Sequence, residues 1–301
     1  MWYAMSTAPA VRERKPPWLK VPFLGGGQYL RVKRLLRSSN LHTVCEEARC
    51  PNIGECFQNG TATFLILGDV CTRACTFCAV SSGHPTGLDA AEPLKVARAA
   101  SRLGLRHAVV TSVTRDDLPD GGASIFAATI RAVRRLSPGT SVEVLIPDFR
   151  GSHDALAAVM AARPDVLNHN IETVPRLYRG VRPKAVYGRS LELLARAREM
   201  DAEVTTKSGL MVGLGEDHEE LLAAMADLVG AGCQVLTIGQ YLQPTPRHRP
   251  VARYYHPDEF AELAREGRRL GFRHVEAGPL VRSSYHAERQ IVNGHDIVPN
   301  P

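Results

Sequence analysis

Cys71, Cys75 and Cys78, in "DVCTRACTFCAV", fall within eight residues, directly after an apolar run and with no further cysteine close behind to supply a fourth thiolate. A structural zinc site has four ligands built from paired two-residue knuckles, and only Cys75 and Cys78 have that spacing. Three thiolates on one short loop can instead hold three corners of a cubane [4Fe-4S] cluster, leaving the fourth iron open to an exogenous ligand. An open iron means chemistry, not scaffolding alone. Packing as small hydrophobes would give these thiols no reason to keep such a spacing. A second group, Cys45, Cys50 and Cys56 in "CEEARCPNIGECF", also stops at three, whereas Cys233 in "GAGCQVLTIG" stands alone and reads as a packed core thiol.

The elements that must position these groups follow from hydrophobic periodicity. From Thr61 onward, short β-branched runs (61–67, 107–113, 141–147, 166–172, 203–212 and 234–242) alternate with Ala-, Leu- and Arg-rich helical stretches such as "ASIFAATIRAVRRL" and "RSLELLARAREM". Six βα units in series predict an α/β fold with a parallel sheet, either doubly wound or a whole or partial barrel. In either case ligands sit at the loops leaving the C-terminal strand ends, which puts the loop of Cys71 at the active mouth. "TRDDLPDGG" (114–122) leaves the second strand toward the same mouth, so Arg115, Asp116 and Asp117 are either ligand contacts or parts of a plain helix-entry loop. "GLGE" (213–216) is a turn into a helix, not a phosphate loop.

With 301 residues the chain can bury roughly 75% of its unfolded surface. Its longest apolar runs fall far short of the roughly 18 residues a membrane span needs, and its first residues lack the apolar core of a secretion signal, so a cytoplasmic protein without a membrane partner is expected. Seven cysteines, an odd number, then favour free thiols or metal ligands over a disulfide framework. The net charge of +6 favours acidic partners. The basic runs "RVKRLLR" and "RAVRR" read as solvated helix faces: no aromatic stacking residues interleave them, and no nucleic-acid partner is expected.

CxxxCxxC with an aromatic residue before the last cysteine, after the first strand of a βα series, resembles the radical S-adenosylmethionine superfamily. The resemblance narrows to the lipoyl synthase family through "RKPPWLK", "VTSVTRDDLPDGG", "NHNIETV", "KSGLMVGLGE", "GQYLQPT" and "VEAGPLVRSSYHA", which extend it across nearly the whole chain. It implies a partial parallel (β/α)6 barrel over 59–280, an N-terminal extension (1–58) carrying the second cysteine group, and a C-terminal extension (281–301) ending in a short helix and a Pro-rich tail.

The same resemblance implies two [4Fe-4S] clusters and S-adenosylmethionine. One cluster would sit on Cys71, Cys75 and Cys78, and an auxiliary one on Cys45, Cys50, Cys56 and Ser283, with Ser284 as the alternative ligand. A serine alkoxide is a harder, more basic ligand than a thiolate, so its bond to iron should break first on protonation; an N-cap role is the competing reading of that serine. Cofactor contacts are expected at Phe77 through its backbone, Asn170, Glu172 and Lys207, although Glu172 and Lys207 could instead pair with each other across neighbouring strands. The implied activity is a sulfurtransferase reaction on a protein-bound octanoyl-lysine, with sulfur drawn from the auxiliary cluster. Its implied partners are an octanoylated lipoyl-carrier domain (the E2 subunit of a 2-oxoacid dehydrogenase or the glycine-cleavage H protein), a low-potential electron donor and an iron-sulfur cluster carrier. The alternatives are a biotin-synthase-like sulfur inserter and a non-catalytic iron-sulfur or zinc protein.

Overall fold

The computed structural model describes residues 14–21 and 25–290, so the expected Pro-rich tail lies outside the described residues. A 3-10 turn at Pro17–Leu19 precedes α1 (Gly27–Ser38), β1 (His42–Thr43), α2 (Val44–Glu47) and α3 (Ile53–Gln58). β2 (Thr63–Ile66) leads into the loop of the first cysteine group, where β3 (Val70–Cys71) and β4 (Ser81–Ser82) form a short parallel ladder. The chain then alternates through α4 (Glu92–Leu103), β5 (His107–Ser112), α5 (Ala123–Leu136), β6 (Ser141–Leu145), α6 (His153–Met160) and β7 (Val166–Asn168). It continues with α7 (Tyr178–Val181), α8 (Tyr187–Met200), β8 (Thr205–Val212), α9 (His218–Gly230), β9 (Val235–Gln240), α10 (Pro257–Leu270), β10 (His274–Gly278) and α11 (Ala287–Gln290).

Each parallel strand pairs with the next one in the series, in the order β1-β2-β5-β6-β7-β8-β9-β10, and only β1 joins antiparallel. Because right-handed crossovers never reverse direction along the sheet, the helices fall on one face, α4 against α5, α5 against α6, and α9 against α10. That order excludes the doubly wound alternative, whose strand order reverses midway. Among the described residues β1 and β10 end the sheet without pairing, which makes it a partial barrel. The six expected βα units are present, and β10 follows them as an unanticipated seventh parallel strand. "HVEAG" carries one buried apolar residue, too little to mark a strand by composition.

Local chemistry explains the helices. In α5, Phe126, Ile130 and Val133 recur at helical spacing and are fully buried, while Arg131 and Arg135 are exposed. Truncating Phe126 to Ala would cost about 3–5 kcal/mol. α1 likewise buries Val32 and Leu36 beneath exposed Arg31, Arg34 and Arg37, so both basic runs are solvated faces as expected. α10 starts with a capping box between His256 and Glu259 and stops at Gly271, whose φ of 117° suits glycine. Among the described residues no helix is long and apolar enough to cross a membrane.

Candidate active site

The concave face of the sheet encloses a cavity of about 620 Å³ lined by all six clustered cysteines. The first trio hangs on the loop after β2, which is tied down from several sides. Thr72 N donates to Thr114 O at 2.9 Å, Thr76 N to Val181 O at 3.0 Å, and the His248 ring contacts Cys78 O at 2.9 Å. The Cys71 Sγ accepts from the backbone N–H groups of Arg73 (3.4 Å) and Thr114 (3.3 Å). Buried Arg73 spans Asp116 (2.8 Å) and Asp148 (2.6 Å), and burial alone would raise the Asp148 carboxyl, but Arg73 overrides it and holds it at about 2. Arg115 bonds Asp117 and the carbonyls of Leu67 and Gly87, so "TRDDLPDGG" braces the cysteine loop through side chains turned onto the protein itself.

The second trio is carried by α2, the turn after it and α3, and lines the same cavity. Cys45, Cys50 and Cys56 act electrostatically on one another, as Cys71, Cys75 and Cys78 do among themselves. Burial raises the thiols of Cys45, Cys50, Cys56, Cys75 and Cys78, with Cys45, Cys56 and Cys78 pushed to about 12, so each of these becomes a thiolate only when a cation offsets its desolvation. Among the described residues no three Cys, His, Asp or Glu side chains converge tightly enough to hold a single metal ion. A tetrahedral zinc would need sulfurs within about 4 Å of one another, whereas a cubane binds each thiolate on a separate iron. Each trio offers the three thiolates that a cubane would take on separate irons.

The C-terminal segment closes the chamber. Asn52 Nδ2 donates to Leu280 O at 2.7 Å, and Tyr285 OH reaches the Glu55 carboxylate at 3.0 Å, so the segment is sewn to α3 and the turn before it. Gly239 makes the approach possible: a Cβ there would lie 2.1 Å from Val281 O. The two serines diverge. Ser284 Oγ accepts from Thr63 Oγ1 at 2.8 Å, and Thr63 in turn contacts the Cys45 thiol, so Thr63 links Ser284 to the second trio. Ser283, the serine expected there, instead accepts from Asn170 Nδ2 at 2.6 Å beneath β8.

Of the expected cofactor contacts, Phe77, Asn170 and Glu172 line the cavity and Lys207 does not. Lys207 lies early in β8 and is buried against Glu143 on β6 (2.9 Å), whose carboxyl also accepts from Asn168 and contacts His107. Burial would raise Glu143, but Lys207 and His107 more than offset it and hold the carboxyl at about 2. This corrects both expectations for Lys207: it meets neither the cofactor site nor Glu172. Position along β8 could not reveal which of two neighbouring acids it would meet.

Glu172 takes a left-handed φ of 67°, bridges to Leu210, and has its carboxyl raised by burial. Among the described residues Asn170 Oδ1, Ser112 Oγ and Arg182 Nε find no hydrogen-bond partner in their buried positions, and all three residues line the chamber. Gly209 opens a niche that a Cβ would fill, 2.8 Å from Asn170 Oδ1. Uncommitted donors and acceptors beside the first trio fit a polar cofactor with amine, carboxylate and hydroxyl groups. Sequence reasoning missed Arg73, Arg182 and Arg282; only Arg282 carried a signal, its place in "RSSYHA".

Residues 65–228 match the radical SAM superfamily, and the solved structures agree at the level of fold. Streptococcus suis SuiB bound to its precursor peptide aligns with a TM-score of 0.55 at 12% identity, covering 75% of this chain and 52% of that one. A methylornithine synthase aligns at 0.51 and 14%, covering 80% and 70%. The chain is a radical S-adenosylmethionine protein, a class defined by a [4Fe-4S] cluster and S-adenosylmethionine. Residues 5–50 match the N-terminal domain of lipoyl synthase. Lipoyl synthases of Symbiobacterium thermophilum (63% identity, 95% of this chain and 89% of theirs) and Bacillus subtilis (57%, 92% and 94%) align over nearly their full length. The chain belongs to the lipoyl synthase family, radical sulfurtransferases.

Proposed function

We propose that the chain inserts sulfur at C6 and C8 of an octanoyl group amide-linked to a carrier-protein lysine, and that an auxiliary [4Fe-4S] cluster on Cys45, Cys50, Cys56 and Ser284 is the sulfur-donating substrate. One observation supports this above the rest: both cysteine trios and the serine segment line one chamber. Family membership at 63% identity accords with it.

Cys71, Cys75 and Cys78 would hold the other cluster, which with S-adenosylmethionine supplies a carbon radical able to take hydrogen from C–H bonds that no acid or base could deprotonate. The chain's own residues do the positioning. Asn170, Glu172 and Ser112 offer hydrogen-bonding groups for the cofactor, and Phe77, packed on the core beneath β8 and β9, fixes the loop between Cys75 and Cys78. Walls such as Val109, Leu145 and Leu210 give the acyl chain an apolar lining and keep water from the radical. Ser284 provides the ligand whose bond to iron breaks most readily. The net charge of +6 suits an acidic lipoyl-carrier domain, a low-potential electron donor and a cluster carrier that renews the auxiliary site.

Anaerobic reconstitution should yield about eight irons and eight sulfides per chain. Given reductant, S-adenosylmethionine and an octanoylated lysine peptide, the loaded chain should return the peptide with two sulfurs added. A chain that holds about four irons, or that leaves the peptide mass unchanged while cleaving the cofactor, contradicts the proposal.

A further inference from the structure

Arg282 brings a positive charge to the wall of the chamber, and among the described residues no carboxylate pairs with it. Its Nη1 donates to the carbonyl of Val281 at 2.6 Å, and among the described residues no other bond or ion pair engages its side chain. A guanidinium offers five N–H donors, so most of this one is uncommitted. The location is built: Gly239 leaves room for the side chain, since a Cβ there would come within 3.2 Å of Nη1, and the Asn52–Leu280 bond clamps the preceding backbone to the turn after Cys50. Two acidic groups act on it from beyond contact, Cys50 most strongly and Glu172 second. A half-buried guanidinium on the chamber wall is a ready partner for an anion in the loaded chamber.

We propose that Arg282 is the counter-ion of the auxiliary cluster, neutralising part of its charge and thereby setting its reduction potential. This rests on the two-cluster reading above. An oxidised cubane held by three thiolates and one alkoxide is a dianion, and outer-shell charges and hydrogen bonds tune such centres. Cys50, one proposed ligand, is the strongest acidic influence on Arg282, and Ser284, another, lies two residues along the chain. The cofactor carboxylate is the competing anion. Beside the first trio, however, the chamber has a separate guanidinium, Arg182, which acts on Cys75 and Glu172 and bonds Asn170 O at 2.9 Å. Arg282 is a positioning residue that acts through the cluster it faces.

The test is a redox titration of the two-cluster protein followed by electron paramagnetic resonance, in wild type, Arg282→Met and Arg282→Lys. The signal of the first cluster is recognised by its change on adding S-adenosylmethionine, and cofactor affinity is measured in parallel by calorimetry. Losing a cation disfavours the reduced, more negative form. Arg282→Met should therefore shift the auxiliary redox equilibrium at least tenfold toward the oxidised form, about 59 mV for one electron. Arg282→Lys should restore most of it, and cofactor affinity should stay within about twofold in both. Retention of the auxiliary cluster by the Lys variant but not the Met variant supports the same conclusion. An unmoved potential in Arg282→Met, equal cluster loss in both variants, or a tenfold loss of cofactor affinity at constant potential overturns it. A wild-type chain that takes up only about four irons defeats the two-cluster reading itself, and the counter-ion with it.

Discussion

Replacing Lys207 by Met tests whether this lysine is a floor bolt of the barrel or a cofactor ligand. The carboxyl of Glu143 is held at about 2 against an ordinary 4.5. At about 1.36 kcal/mol per pH unit, that difference corresponds to about 3 kcal/mol at neutral pH. Both side chains are 1% exposed, so solvent screening takes little from this figure. It agrees with the cost of about 3–5 kcal/mol for orphaning one member of a buried ion pair. Lys207→Met should therefore lose about 3–5 kcal/mol in anaerobic urea unfolding at pH 7. Lys207→Met with Glu143→Leu should recover most of the loss, because the double variant no longer buries an unpaired carboxylate.

The pH dependence has a definite sign. A carboxyl depressed by folding contributes its full stabilisation above pH 4.5, and that contribution is lost as pH falls through the interval down to about 2. Wild type should thus converge on the double variant in acid. Folded Lys207→Met should still cleave S-adenosylmethionine at close to the wild-type rate. Less than 1 kcal/mol of destabilisation, together with loss of cofactor cleavage by the folded variant, would refute the reasoning and return Lys207 to the cofactor site.

Ser284→Ala should lose auxiliary iron while Ser283→Ala keeps it, as read by iron analysis, and Ser284→Cys should hold the cluster but release sulfur at least tenfold more slowly, because a thiolate parts from iron less readily on protonation. Gly239→Ala places a Cβ 2.1 Å from the Val281 carbonyl oxygen and should push the serine segment off the sheet. In that variant sulfur insertion should fall at least tenfold while deoxyadenosine still forms; unchanged product yield would show that the segment docks without this close approach.

The repeating units of the barrel were legible because each strand is a β-branched run and each helix an amphipathic one: "ASIFAATIRAVRRL" coincides with α5 residue for residue. β10 and β1 were not, since one buried apolar residue or a two-residue pairing leaves no periodicity to detect. The six clustered cysteines were legible from spacing, and their convergence on one chamber was not, because it depends on how α2, α3 and the C-terminal segment fold over the sheet. The same limit separates Ser283 from Ser284: adjacent serines are chemically alike, and only the direction of the backbone decides which one meets Thr63. Lys207 failed for a related reason. A strand position fixes the face on which a side chain lies, while its level relative to Glu143 or Glu172 depends on register across three strands.

The most direct measurement of the sulfur source is a single turnover with isotopically labelled sulfide built into the clusters and unlabelled sulfur in solution. Cys45→Ala/Cys50→Ala/Cys56→Ala serves as the chain without an auxiliary site. Both sulfurs of the product should carry label in the wild type, and the variant should make deoxyadenosine without product. Unlabelled product from the wild type, or labelled product from the variant, would contradict the account.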